Sequence, residues 1–268
     1  MKEPSIRTDH ANDDKTISPD VLLAYEQKAQ EMWKNEDPRD QYTYLISKLN
    51  CDYTLMEKVG IRDKNILNVG CSFPIDEVYF ARKVSQWTGI DISAESLRVA
   101  DYIIHKELHP DLAAKFNFKY ADACELPFED NIFDLSISMS TFDHLPSAYA
   151  RQKAVDEMAR TTKPGGHVIV TTPNWWCIPY ALGIWKMTRD KTLHYGYVYL
   201  YNPIELRQAG VKAGLIPVNF ASSIAPPKVW LPGYPFFIKY PAVVCFGLMR
   251  LFSYFGRRIG YAFVKPNN

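Results

Sequence analysis

The run Asn65-Ile66-Leu67-Asn68-Val69-Gly70-Cys71-Ser72-Phe73-Pro74, followed by Gly89-Ile90-Asp91-Ile92-Ser93, constrains this chain more than any other feature. An apolar strand runs into a glycine turn, and a second apolar strand ends in a lone carboxylate about twenty residues later. That spacing belongs to Rossmann-type sheets, where the turn receives one part of a ligand and the acid accepts hydrogen bonds from ribose hydroxyls. The turn discriminates among nucleotides. A dinucleotide pyrophosphate needs the bare backbone of G-x-G-x-x-G at a helix N-terminus. Here Gly70 is followed by Ser72 and Pro74, with no glycine until Gly89. The pattern disfavours a phosphate cradle and leaves a ribonucleoside without phosphate.

From Asn65 onwards, short Ile/Val/Leu-rich runs alternate with amphipathic segments, as in a mostly parallel sheet covered on both faces. The pattern predicts strands near 66–70, 87–91, 116–120, 133–139, 166–172 and 215–222, and a last one from Arg258 to Lys265. Helices are predicted near 75–85, 94–107, 147–161 and 203–213. Ahead of the sheet, Asp20 can cap a helix from Val21 through Trp33, which Asn35-Glu36-Asp37-Pro38 breaks, and a second helix follows from Arg39 to Leu49. Residues 1–62 thus form a helical extension. Residues 63–268 form the sheet domain, with aromatic, basic insertions at about 173–200 and 224–256.

Five segments in order carry a family resemblance: the glycine turn with Asp91; Tyr120-Ala121-Asp122-Ala123-Cys124-Glu125-Leu126-Pro127-Phe128; Phe133 to Leu145; Thr162-Lys163-Pro164-Gly165-Gly166-His167; and Tyr201-Asn202-Pro203-Ile204-Glu205-Leu206 running to Leu215. Together they resemble the class I S-adenosylmethionine-dependent methyltransferases, in particular the small-molecule branch that includes quinone-biosynthesis enzymes. The resemblance covers about residues 60–172 well. It implies a doubly wound, seven-stranded sheet whose last strand runs antiparallel between the fifth and sixth. It also implies S-adenosylmethionine as cofactor and S-adenosylhomocysteine as product, with no metal. The chain departs from the family in its first motif, where Asn68 replaces the usual acid and Ser72 and Pro74 replace glycines. Asn68 can still order the turn by hydrogen bonding, without charge.

On this reading Asp91, with Ile92 beside it, accepts from the ribose diol. Asp122 accepts from the adenine amino group while the Ala123 N–H faces a ring nitrogen. Gly70 and Cys71 lie along the methionyl part, and Ser138 and Met139 face the sulfonium. Cys71 is expected to pack rather than react. Asp134 starts its strand, far from the carboxyl ends where ligands bind, and reads as structural. Methyl transfer needs alignment and exclusion of water, and a base only when the acceptor must lose a proton. His144, just past the fourth strand where family members often carry histidine, is the candidate base; packing of the loop is the alternative. Phe142, Trp175, His194, Tyr195 and Tyr197 are candidate acceptor-lining residues. Tyr25 and Trp33 are candidate lid residues that equally well staple their helix to the domain.

The net charge of +1 hides an asymmetry. Residues 175–268 hold 11 Lys+Arg against 2 Asp+Glu, and 20 of the 37 aromatics, so this third and the acidic remainder suit different partners. Trp175–Trp185 is apolar and followed by Lys186, Arg189 and Lys191; Phe236–Phe255 is apolar except for Lys239, Arg250 and Ser253, and its longest uncharged run, between Lys239 and Arg250, is too short to span a bilayer. They suit an interfacial contact with anionic membrane, with Arg257 and Arg258 among its charges, or a lid over a greasy acceptor, or a homodimer contact. No nucleic acid is expected: no Asn/Asp-Pro-Pro-aromatic tetrapeptide follows the fourth strand. Five cysteines without C-x-x-C pairing, and no apolar leader near Met1, suggest a cytoplasmic protein, membrane-associated on the cytoplasmic face. A small, apolar or lipid-linked acceptor is the preferred substrate. A nucleoside-binding protein that has lost catalysis also satisfies the residues, and an NAD-dependent oxidoreductase has the missing glycines against it.

Overall fold

A computed structural model describes residues 51–190, 192, 197–223 and 253–267. The helices expected over Val21–Trp33 and Arg39–Leu49, the residues Tyr25, Trp33, His194 and Tyr195, and most of Phe236–Phe255 lie outside the described residues.

Seven strands form one sheet: β1 (Asn65–Val69), β2 (Gln86–Asp91), β3 (Phe116–Tyr120), β4 (Phe133–Met139), β5 (Thr162–Pro173), β6 (Ile216–Ser223) and β7 (Arg258–Val264). Their order is β3-β2-β1-β4-β5-β7-β6. All pairs are parallel except those of β7, which is antiparallel to both β5 and β6. The expected strands and the expected place of the last one agree with this order. β5 begins four residues earlier than its apolar run, because Thr162 pairs with Phe133 before the register shifts and His167 pairs with Leu135.

The described α-helices are α1 (Asp52–Val59), α2 (Ile75–Phe80), α3 (Ala94–Glu107), α4 (Pro110–Ala113), α5 (Ala148–Thr161), α6 (Ile178–Arg189) and α7 (Pro203–Lys212). Three helix starts are built by side-chain caps. Ser93 accepts from Ser96 N, Ser147 from Ala150 N, and Asn202 forms a reciprocal capping box with Glu205 ahead of Pro203. Each cap contributes about 1 kcal/mol. α2 is shorter than its 75–85 pattern: Lys83 N turns back to Phe80 O at 2.8 Å, closing a tight turn that ends the helical ladder.

Strand side chains alternate between two buried clusters. Leu67, Val69 and Val168 face α5 and α7 through Val155, Met158 and Leu206. Ile66, Ile137 and Ile169 face α1 and α2 through Leu55, Met56 and Phe80. α1 falls within the 1–62 segment and packs on β5, β6 and β7. It is tied there by Asp52, whose Oδ1 accepts from Arg258 Nε at 2.9 Å. Arg258 is 7% exposed and also donates to Thr171. This corrects one expectation: Arg258 cannot meet headgroups, because β7 turns it inward to a buried partner. Arg257, its neighbour in sequence, is exposed and lies over the Tyr180 ring.

Candidate active site

The sheet changes direction between β1 and β4, and the crevice beyond their carboxyl ends is where such sheets take ligands. Gly70 turns there with φ +76°, and a Cβ on it would come within 2.1 Å of Thr141 Oγ1. Only glycine fits that position. Thr141 in turn donates to the carbonyls of Val69 and Gly70, at 3.2 and 3.3 Å. Gly70 N and Cys71 N both donate to Ile90 O, at 2.8 and 2.9 Å, and Ala121 N donates to Asp91 O. The ends of β1, β2 and β3 are thereby stitched together.

Asp91 ends β2, half-buried, with one oxygen accepting from Ser72 N and the other from Ser93 N, both at 2.9 Å. These two bonds, one to each oxygen, fix the orientation of the carboxylate. Asp122 makes an Asx turn to Cys124 N at 2.8 Å. Its loop is clamped from α5: Leu126 N donates to Glu157 Oε2, while Arg160 donates to the carbonyls of Leu126 and Phe128. Burial pushes on the Glu157 carboxyl upwards, yet the bonds from Arg160, Leu126 N and Lys153 outweigh it and hold it below the ordinary value. Sequence reasoning did not find this clamp, because its residues lie 31 to 34 positions from the backbone groups they hold.

The other expected cofactor residues divide. Asn68 is buried and directs its amide into the protein, towards Glu77. Cys71 is buried, and burial first, then Asp91 and Glu77, push its thiol well up, so it is a packed, protonated residue. Ser138 donates its hydroxyl to Val69 O at 3.1 Å, and Met139 is buried in the cluster that α1 covers. Ile92 and Ala123 are half-buried beside the two aspartates. Asp134 accepts from Asn65 N and Lys163 Nζ at the far end of the sheet, in the structural role expected of it.

Past β4 the chain makes a 3₁₀ turn, Phe142–His144. Phe142 is 0% exposed and belongs to the core, not to an acceptor pocket; its place one residue into a tight turn points the ring inward. His144 Nδ1 lies 3.2 Å from Tyr197 O, and Nε2 lies 3.4 Å from Asp143 Oδ2. Asp143 is 2% exposed, its Oδ1 without a hydrogen-bond partner among the described residues. Arg151, buried on α5, donates to Leu145 O and Tyr197 Oη and lies 3.7 Å over the Tyr199 ring. Tyr201 is buried, and burial pushes its phenol well up. Trp175 packs with Ala181, Ile184, Val198 and Leu200. Tyr197 is therefore brought beside His144, with Asp143 and Arg151 as polar neighbours that spacing alone did not single out.

Residues 67–170 match the family model described as a methyltransferase domain. Over these residues the chain carries a domain of the class I S-adenosylmethionine-dependent methyltransferase family. A chloroplastic tocopherol O-methyltransferase of Arabidopsis thaliana is 35% identical over 115 residues, covering 42% of this chain and 30% of that one. A ubiquinone biosynthesis O-methyltransferase of Alkalilimnicola ehrlichii is 30% identical over 178 residues, 65% of this chain and 66% of that one. The chain spans 30% of the length of each tocopherol relative. Its fold is that of a Haemonchus contortus phosphoethanolamine N-methyltransferase solved with S-adenosyl-L-methionine, with TM-score 0.55, 20% identity, and coverage of 80% of this chain and 52% of that one. The [4+2]-cyclase SpnF shares it too, with TM-score 0.53, 17% identity and coverage of 85% and 81%.

The residues present fit S-adenosylmethionine better than a dinucleotide. α2 follows the glycine turn with Asp76 and Glu77 in its first turn, both buried, and a pyrophosphate there would meet two carboxylates. Asp91 and the Asp122 loop offer acceptors and backbone donors suited to a ribose diol and a base. Among the described residues no cluster of three or more His, Cys, Asp and Glu side chains has the geometry to hold a metal, and no helix is long and apolar enough to cross a membrane.

Proposed function

We propose that this methyltransferase moves the methyl group of S-adenosylmethionine to a hydroxyl of a small, apolar or lipid-linked acceptor. The observation that carries the reading is the crevice between β1 and β4, where an anchored carboxylate, Asp91, stands opposite a turn followed by acids rather than glycines. The O-methyltransferase relatives named for tocopherol and ubiquinone biosynthesis support an apolar acceptor with a hydroxyl. When bound, the cofactor supplies an electrophilic methyl group on a good leaving group.

The chain's own part is alignment and proton removal. Asp91 and the clamped Asp122 loop orient the nucleoside. In the tautomer whose Nδ1–H donates to Tyr197 O, Nε2 is the basic nitrogen of His144. An acceptor hydroxyl gives its proton to Nε2 as its oxygen takes the methyl, and the Asp143 carboxylate stabilises the imidazolium so formed. Trp175, half-buried over Val198 and Leu200, is the apolar residue that would face the acceptor.

A peripheral contact with anionic membrane accompanies this reading. Ile178 and Leu182, one turn apart on α6, are 57% and 58% exposed, and Lys186 and Arg189 close the helix. An apolar row with a basic end suits a headgroup layer.

Calorimetry with S-adenosylmethionine, S-adenosylhomocysteine and NAD tests the cofactor. A labelled-methyl assay against phenols with and without an isoprenoid tail tests the acceptor. Binding of the first two with transfer to a tailed phenol is expected. NAD binding without S-adenosylhomocysteine binding overturns the reading, and binding without transfer to any phenol favours a protein that has lost catalysis.

A further inference from the structure

All five N–H donors of the Arg160 guanidinium are engaged, and three of them hold one loop. Nε donates to Glu157 Oε1 at 3.1 Å and Nη2 to Glu157 Oε2 at 2.7 Å. Nη2 also donates to Leu126 O at 3.0 Å, while Nη1 donates to Phe128 O and to Asp130 Oδ1, both at 2.8 Å. Glu157, 6% exposed, binds the same loop by accepting from Leu126 N at 3.0 Å. The N–H and the C=O of Leu126 are thus both fixed by charged side chains of α5, and neither adjoining peptide turns without breaking a charge-assisted bond. A rigid fork of five donors is what a guanidinium has and an ammonium lacks.

The loop, residues 121–132, joins β3 to β4 without a helix and carries the two residues read as contacts of the cofactor's base. Glu125 N donates to Asp122 O at 3.1 Å and Cys124 N to Asp122 Oδ1 at 2.8 Å, so Asp122 and Ala123 take their orientation from the residues just ahead of Leu126. A mere connection needs no buried carboxylate, whereas a loop that reads a ligand needs its contacts held closely in place. Adenine presents an amino donor beside a ring-nitrogen acceptor, which a carboxylate and a backbone N–H match. Hypoxanthine presents the reverse, a carbonyl beside a ring N–H. We infer that Glu157 and Arg160 are the positioning residues that make the site specific for an adenine base. They hold Leu126 by both its polar backbone groups and, through it, Asp122 and Ala123.

This rests on reading Asp122 and Ala123 as the base contacts, and the two are tested separately. The probes are S-adenosylhomocysteine and S-inosylhomocysteine, which differ only in the amino or carbonyl edge of the purine. Calorimetry on the full chain gives the ratio of their affinities for wild type, Asp122→Asn, Glu157→Gln and Arg160→Lys, each with a thermal melt. A general loss of stability weakens both ligands alike and leaves that ratio unmoved. Wild type should prefer the adenine ligand by at least about thirtyfold, the cost of mispaired hydrogen-bonding groups. Asp122→Asn, which tests the base reading itself, should remove most of that preference. Glu157→Gln and Arg160→Lys should each lower it about tenfold, chiefly by weakening S-adenosylhomocysteine; the lysine keeps the charge beside Glu157 and loses the fork. A wild-type preference that either folded variant of the pair retains to within about twofold overturns the inference and leaves the base reading standing. Wild type that binds the two ligands equally overturns the base reading and the inference with it. Wild-type protein that melts cooperatively and binds neither ligand overturns the cofactor reading as well. If Glu157→Gln melts below the assay temperature, Arg160→Lys decides by the same ratio.

Discussion

Asp91 and Asp134 are the same residue type in opposite roles, set by which end of a parallel strand each occupies. Asp91→Ala should weaken S-adenosylhomocysteine binding by about 1.5–3 kcal/mol, the worth of hydrogen bonds to a charged group, with a contribution from the freed Ser72 and Ser93 amides. Asp134→Asn should leave that affinity unchanged and lower stability, since it breaks the tie between Asn65 N and Lys163. Titration and urea melts of the two variants separate the roles, and exchanged phenotypes would show the site is misplaced. For His144, replacement by Ala should slow the chemical step about 10²–10⁴-fold with cofactor affinity intact, by single-turnover rates across pH. An unchanged pH profile would leave it packing the loop against Tyr197. Asp91 and His144 drew notice in the sequence because the first ends an apolar strand and the second lies just past one. Glu77, Asp143 and Arg151 did not, because their significance comes from burial, and nothing in a short polar stretch says which of its charges turns inward.

At the scale of elements, the decisive construction is α5 holding the loop between β3 and β4. Glu157 and Arg160 lie one turn apart on that helix, where they pair with each other and with the loop's backbone. Protonating Glu157 releases Leu126 N and leaves Arg160 without its nearest counter-charge. Its folded carboxyl titrates below the ordinary value of 4.5, so the stabilisation is full above that pH and is lost as pH falls through the lower, folded value. Urea melts from pH 7 to pH 3 should therefore show a stability gap between wild type and Glu157→Gln that is constant down to about pH 4.5 and narrows below it. A gap that does not change with pH would mean the pair acts through packing alone. The helix starts were readable to within a residue, since Ser93, Ser147 and Asn202 are the residues that cap helices. The end of α2 was not, because a backbone turn from Lys83 to Phe80 stops it with no breaker in the sequence.

For the whole molecule, the buried Asp52–Arg258 pair joins the first described helix to the last strand, 206 positions apart. Asp52→Asn should destabilise the protein by about 3–5 kcal/mol, because it strips a buried guanidinium of its counter-charge, and denaturant unfolding measures this. The outer face of α6 makes a separate prediction. Ile178→Ser with Leu182→Ser should reduce sedimentation with anionic liposomes at every salt concentration, whereas Arg257→Ala should reduce it mainly at low salt, by up to about 1 kcal/mol. No binding of wild type at low salt would leave these residues to a lid or a second copy of the chain, which size-exclusion chromatography distinguishes. The family resemblance supplied the antiparallel last strand, whereas the amino-acid sequence by itself determined the alternation of strands and helices and the glycine turn with its partner acid. Those are local properties: periodicity, capping chemistry, and spacing along one βαβ unit. Only the tertiary structure decided which of two adjacent arginines is buried, that Phe142 is core, that Glu77 meets Asn68, and that α5 holds the Asp122 loop. Each of these depends on which residues distant in sequence share a space from which water is excluded, and there the cost of an unpaired charge dictates its neighbours.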